Sequence, residues 1–96
     1  MKLQVHSSNF EVADKLQKFI EKKTRRYEKM LSSNTAEMEI RLSVVKPETN
    51  LNKETQIRVL GLGHDIFVKK VCDTFEEGLD QCLEVVDRQL EKIKNI

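Results

Sequence analysis

Seven lysine and arginine side chains lie within the fifteen residues 15–29. On a helix, which turns about 100° per residue, six of them fall on one stripe and the apolar residues fall on a neighbouring arc. The six are Lys15, Lys18, Lys22, Arg25, Arg26 and Lys29. A row of cations about 20 Å long suits an acceptor with repeated negative charge, such as the phosphates of folded RNA. The spacing predicts a helix that binds a polyanion; a lysine-rich face kept only for solubility is the alternative.

Residues that could support catalysis are few. His6 and His64 have no spacing that pairs them with a cysteine, a serine or an acid. Glu37 and Glu39 alternate with apolar residues, as on the outer face of a half-buried strand. The sequence has no phosphate-binding loop, dinucleotide-binding loop or HExxH zinc motif. We therefore predict that the protein is not an enzyme and has no cofactor, metal site or small-molecule substrate.

Length and composition predict one domain over residues 1–96. The net charge of +1 hides an uneven distribution, because residues 73–91 hold seven acids and only one base, Arg88. Cys72 and Cys82 lack the spacing of a zinc or redox motif, so we expect two buried free thiols. No apolar run is long enough for a signal peptide or a membrane helix, and we expect a cytoplasmic protein without membrane contact.

Apolar periodicity predicts six elements joined by short connections. They are a strand over residues 2–6, a helix over 14–31, strands over 36–45, 56–62 and 65–71, and a last helix that begins after Asp73 or Thr74. Ser7, Ser8 and Asn9 are expected to end the first strand, residues 46–53 to form a loop, and Gly61 and Gly63 to form a turn.

This order limits the architecture. The first two strands are joined by a helix and can lie parallel, whereas the short turns between the other strands predict an antiparallel arrangement. Each strand has one apolar face that needs a cover. We therefore predict an α+β, two-layer β-α-β-β-β-α fold, with a four-stranded sheet and two roughly parallel helices on one face.

Three further expectations concern the helices. Lys23 points into the apolar arc of the first helix and would extend past Phe19 and Tyr27. Arg88 and Lys92 stand four residues apart on the last helix and would extend the basic patch if the helices lie side by side. Gly78 is a weak point inside the last helix, because glycine is a poor helix former.

The whole chain resembles a known family, the short ribosome hibernation-promoting factors and the ribosome-associated inhibitor A. The resemblance rests on the predicted element order, on SSNFEVADKLQKFIEKKTRRYEKML at residues 7–31 and on DTFEEGLDQCLEVVDRQLEKIKN at residues 73–95. Within these stretches the most specific patterns are EV…L…FIEKK…YEK and LD…DRQLEK.

The resemblance implies a ribosome hibernation factor of the stationary phase and of nutrient stress. Such proteins bind the small ribosomal subunit in the channel of messenger and transfer RNA, inhibit translation, and preserve inactive 70S or dimerised ribosomes. The 16S ribosomal RNA would be contacted by the matching cations of the two helices. These are Lys15, Lys18, Lys22, Lys23, Arg25, Arg26, Lys29, Arg88 and Lys92.

The chain departs from the family pattern in its last helix. Val85 and Asp87 stand where relatives are usually richer in lysine, so we expect the first helix to dominate RNA contact. A second hypothesis, from another functional class, is a protein-interaction module. It would bind a basic partner through the exposed sheet face or through the acidic flank of the last helix.

Overall fold

The structure is a computed structural model that describes residues 1–8, 10–31, 35–45 and 51–94. The elements follow the predicted order: β1 Lys2–Ser8, α1 Asp14–Met30, β2 Glu37–Val44, β3 Lys53–Leu60, β4 Ile66–Cys72 and α2 Phe75–Lys94. Asn9, predicted to help end the first strand, and residues 46–50 of the predicted loop lie outside the described residues. Neither α1 nor α2, the helices of the described part of the chain, has the apolar length that a membrane crossing requires.

The four strands form one mixed sheet in the order β1-β2-β3-β4. β1 pairs parallel to β2, while β2, β3 and β4 pair antiparallel. Side chains alternate between the two faces, so Met38, Ile40 and Leu42 of β2 and Ile57 and Val59 of β3 are all buried beneath the helices. The predicted two-layer α+β fold is confirmed.

Three predicted strand boundaries are wrong by two residues or more. β1 does not end before Ser7 and Ser8, because these residues continue the parallel ladder opposite β2. β3 begins at Lys53, inside the predicted loop, because β2 is long enough to pair with it there. β3 ends at Leu60 rather than residue 62, since Gly61 has a φ of 86° that interrupts the strand. A side chain at Gly61 would also collide with the Thr35 carbonyl group.

Both helices cover the same face of the sheet. α1 buries Ile20 and Tyr27 in the core, and α2 packs against β3 and β4 through side chains such as Leu79 and Val86. Contacts between the helices advance in the same direction along both, from Lys23 opposite residue 80 to residue 26 opposite residue 87. The helices therefore run parallel, as predicted.

Local chemistry explains where the helices begin. Thr74 caps α2, because its hydroxyl oxygen accepts a hydrogen bond of 3.1 Å from the backbone N–H of Glu77. Ala13 precedes α1 without a side-chain cap, and Asp14 in the first turn places negative charge at the positive helix end. Of the two predicted caps for α2, Thr74 is the one the structure uses.

The two cysteines are free thiols buried in the helix and sheet layers. The Cys82 thiol donates to the Thr55 carbonyl oxygen over 3.5 Å. Burial raises the pKa of Cys82 to about 11 and also raises the pKa of Cys72. Both thiols are therefore protonated and weakly nucleophilic near neutral pH.

Gly78 has a packing role that the sequence pattern alone did not indicate. A β-carbon at this position would lie 2.6 Å from the Thr55 hydroxyl oxygen and 3.3 Å from the Thr55 β-carbon. Thr55 is completely buried on β3. Glycine therefore allows α2 to approach the sheet closely, and its low helix propensity is offset by this contact.

We predict that Gly78→Ala lowers the free energy of unfolding, measured by urea unfolding and circular dichroism. Alanine is the better helix former by about 1 kcal/mol, but overpacking costs about 1–3 kcal/mol, so the expected net loss is about 1 kcal/mol. Adding Thr55→Ala removes the clash and will make the Gly78→Ala change less costly. A Gly78→Ala protein at least as stable as the original would contradict this packing argument.

Candidate nucleic-acid interface

The outward face of α1 carries a continuous row of exposed cations. Ile20 and Tyr27 are fully buried and fix the rotation of the helix. The opposite side of the helix, about a quarter of its circumference, therefore points into solvent. We call this row the basic stripe; it consists of Lys15, Lys18, Lys22, Arg25 and Lys29, all exposed. The stripe is about 20 Å long at 1.5 Å per residue.

Acidic side chains of α1 lie away from the basic stripe. Helical spacing places Asp14, Glu21 and Glu28 on the flank turned away from α2. Glu21 accepts a hydrogen bond of 3.2 Å from the Gln17 amide on that same flank. Among the described residues, no acid lies within ion-pair distance of a stripe cation. The positive field of the stripe is therefore left available to an external anion.

Lys23 lies in the groove between the helices instead of on the stripe. Its ammonium group is 3.3 Å from the Asp80 carboxylate and 5.4 Å from the centre of the Phe19 ring. The Lys23 side chain therefore passes Phe19, as expected. Its ammonium group pairs with Asp80 of α2 instead of extending past Tyr27. A phosphate could bind Lys23 only in competition with Asp80.

Arg26 is the second cation that the fold withdraws from the stripe. Its guanidinium donates 2.8 Å hydrogen bonds to Asp87 and to the Tyr27 hydroxyl oxygen. The Tyr27 hydroxyl in turn donates to the other carboxylate oxygen of Asp87. Burial and this bond to the carboxylate raise the pKa of Tyr27 well above its ordinary value of 10.0. Arg26 is exposed, but its guanidinium group is held by α2, so we describe it apart from the basic stripe.

The two predicted cations of α2 are not brought together with the basic stripe. Arg88 is exposed and pairs with Glu84 on its own helix at 3.2 Å. Lys92 lines a hollow with His64 and Gln89, on the flank of α2 turned away from α1. Acids instead occupy the side of α2 that faces α1. The basic surface is therefore centred on α1, whereas Arg88 and Lys92 stand apart from it.

The other candidate groups, Glu39, His6 and His64, lie outside α1. Glu39 accepts a 2.6 Å hydrogen bond from Arg41 on the outer sheet face, and this bond lowers the pKa of the carboxyl group. His6 lies 3.2 Å from the Gln4 side chain and is exposed, and His64 is exposed in the turn before β4. What the described geometry provides is a linear row of exposed cations on α1.

Sequence reasoning missed the bond between Tyr27 and Asp87. A weak indication existed, because the chain's only tyrosine falls in the apolar arc of α1 and a buried phenol needs a hydrogen-bond partner. Asp87 appeared in the sequence only as a departure from a lysine-rich pattern. The partner could not be identified without knowing how α1 and α2 pack.

We predict that Tyr27 ionises only well above pH 10, which its ultraviolet absorbance can follow because the chain has one tyrosine. The folded phenol holds its proton more tightly than the unfolded one. Its contribution to stability is therefore complete below pH 10 and is lost as the pH rises above that value. Asp87→Asn will bring the pKa of Tyr27 closer to its ordinary value.

Asp80→Asn is the matched control, because Asp80 pairs with Lys23 and is absent from the hydrogen bonds around Tyr27. It will leave the titration of Tyr27 unchanged. If the folded protein showed an ordinary phenol pKa, the hydrogen bond between the helices would be refuted.

Two of three comparisons with known proteins found similar proteins. A family model described as Sigma 54 modulation protein / S30EA ribosomal protein matches residues 3–95. No curated protein sequence matches the chain. The structure is similar to the Protein Y N-terminal domain of Thermus thermophilus, at 17% identity and a TM-score of 0.76, over 96% of this chain and 98% of that one.

It is also similar to a ribosomal subunit interface protein from Coxiella burnetii, with 20% identity and a TM-score of 0.82 over 100% of both chains. At these identities the structural likeness shows a shared fold. The family model relates the sequence of this chain to one family, and it agrees with the resemblance found in the sequence. Because that model spans residues 3–95, the chain belongs to the Sigma 54 modulation protein / S30EA ribosomal protein family.

Proposed function

We propose that the protein is a ribosome hibernation factor. In this proposal it binds the small ribosomal subunit through phosphates of 16S ribosomal RNA, in the channel of messenger and transfer RNA. It thereby inhibits translation and preserves inactive 70S or dimerised ribosomes. Membership of a family described as ribosomal supports the partner, as does the similar protein from Coxiella burnetii, which is described as a subunit interface protein.

The observation that carries this proposal is the unpaired state of the basic stripe. Its five cations are exposed, and none has an acid within ion-pair distance among the described residues. Such cations displace condensed counterions from RNA, and the release of those ions drives binding. A surface kept only for solubility needs no such separation of free cations from paired ones.

The other predicted RNA-binding cations take secondary roles in this proposal. Lys23 and Arg26 are held by acids of α2, and a phosphate would have to replace those acids. Arg88 and Lys92 lie away from the stripe. We therefore assign the main contact with RNA to α1 alone.

Occlusion explains how binding alone could inhibit translation. A folded body that fills the channel excludes messenger and transfer RNA by volume and needs no chemical step. Affinity would then come from phosphate contacts, and the two-layer core would supply the rigidity. The proposed function is consequently sensitive to salt and to the charge of α1.

An interaction with another protein has one specific observation in its favour. On the outer face of the sheet, Phe67 and Val71 of β4 are 54% and 44% exposed. Arg58 lies over the Phe67 ring, 5.5 Å from its centre. Exposed apolar side chains of this size are common at protein interfaces, so this face is the natural site for the alternative function.

We predict that Lys18→Glu combined with Arg25→Glu weakens binding to purified small ribosomal subunits at least tenfold. Each reversal replaces a phosphate contact with repulsion, and neither side chain takes part in an ion pair among the described residues. Co-sedimentation over a range of subunit concentrations measures the affinity.

The charge-matched control is Lys2→Glu with Arg58→Glu, which makes the same change on the outer sheet face. It will retain binding if α1 is the contact. Equal losses in both variants would argue for a general charge effect, and loss only in the control would favour the protein-interaction alternative.

A further inference from the structure

A trough lies beside the basic stripe, where the first half of α1 meets the first turn of α2. Its volume is about 430 Å³, within the range of roughly 300–1,000 Å³ that is usual for small-ligand sites. The lining residues are Ala13, Leu16 and Phe19, the stripe lysines Lys15, Lys18 and Lys22, and Glu76 of α2.

The trough combines an apolar floor with a positive rim. Leu16 and Phe19 are partly buried and pack against the protein core, whereas the three lysines are exposed. A phosphate alone would use only the rim and leave the apolar floor covered by water. An apolar protein side chain would use only the floor and leave the positive rim unmatched.

A single unstacked nucleotide fits both parts. Its base is a flat ring with large π-faces, and its backbone carries a phosphate on each side. In RNA recognition such bases come from bulges, loops and ends, and they stack on aromatic side chains. The trough opens next to cations that already face the proposed RNA, so a base could enter while the backbone stays on the stripe.

Phe19 is held in position for such a contact. The Lys23 ammonium group covers one side of its ring, 5.4 Å from the centre, and that ammonium is itself held 3.3 Å from Asp80. Lys23 itself is not among the residues that line the trough. The ring is therefore restrained before any ligand binds, which lowers the entropy lost on binding.

We propose that this trough takes one unstacked nucleobase from a bulge or end of the bound RNA, with the base against Phe19 and its phosphates on the lysine rim. The inference rests on the proposed function and deepens it, because phosphate contacts alone do not distinguish one RNA structure from another. Glu76 accepts a hydrogen bond from an exocyclic amino group, so the trough favours an amino-bearing base over uracil.

The test uses two RNA hairpins that differ only in one bulged 2-aminopurine, a fluorescent base that is quenched on stacking. The wild-type protein will bind the bulged hairpin about fivefold or more tightly than the perfect one, since stacking of one base on an aromatic ring strengthens binding by about this factor. Binding will also quench the 2-aminopurine fluorescence. A second bulged hairpin with uracil will bind more weakly than one with adenine.

Phe19→Leu keeps an apolar side chain in the floor but removes the aromatic ring. This variant will lose the preference for the bulged hairpin, while its affinity for the perfect hairpin stays close to that of the wild type and its circular dichroism spectrum shows that it is folded. Phe67→Leu removes an exposed phenylalanine from the outer sheet face and is the matched control. It will keep the full preference.

Two results would overturn the trough as a base site: equal affinity of the wild-type protein for both hairpins, or an unchanged preference in Phe19→Leu. Loss of small-subunit binding in Phe19→Leu without any bulge preference in the wild type would point to a protein side chain as the occupant, and would equally reject the proposal. Co-sedimentation of the wild-type protein with small subunits is measured in parallel. If the protein co-sediments with small subunits but the hairpin test fails, the proposed function stands without the base site. If the protein does not co-sediment with small subunits, the proposed function is rejected.

Discussion

The burial of one side of α1 is the constraint on which the rest of the structure depends. Ile20 and Tyr27 are fully buried, two turns apart on that side. Thr24 lies between them and meets the same requirement, because its hydroxyl donates to the Ile20 carbonyl oxygen over 2.8 Å. A rotation by one residue, about 100° in either direction, would place charged side chains of α1 against the sheet at a large desolvation cost. The core therefore determines which cations face outward.

The packing of α2 then divides the remaining cations into two groups. Asp80 and Asp87 bind Lys23 and Arg26 and keep the parallel helices in register. These partly exposed ion pairs contribute little to stability individually, but they neutralise charge next to the stripe. A net charge of +1 thus conceals an outer row of free cations and an inner row of compensated ones. Asp80 also restrains Phe19, because it holds the Lys23 ammonium group over that ring.

Periodicity predicted the element order, the two layers and the basic face, because apolar residues at spacings of two and of three to four leave few arrangements for so short a chain. Features that depend on a partner were missed. Ser8 continues β1 only because β2 pairs beside it, and Gly78 is required only because Thr55 lies beneath α2. Likewise, Lys92 lies on the flank of α2 away from α1 because of the rotation of α2 about its own axis. The local sequence pattern alone did not predict that rotation.

The salt dependence of binding to small ribosomal subunits tests the central claim most directly. Each phosphate neutralised contributes about 0.7–0.9 to the slope of log affinity against log salt, so the five cations of the stripe predict a slope of about −3.5 to −4.5. A slope of about −6 to −8 would mean that all nine predicted cations bind phosphates. That result would contradict the division between free and paired cations, and a slope near zero would contradict RNA binding by the stripe altogether.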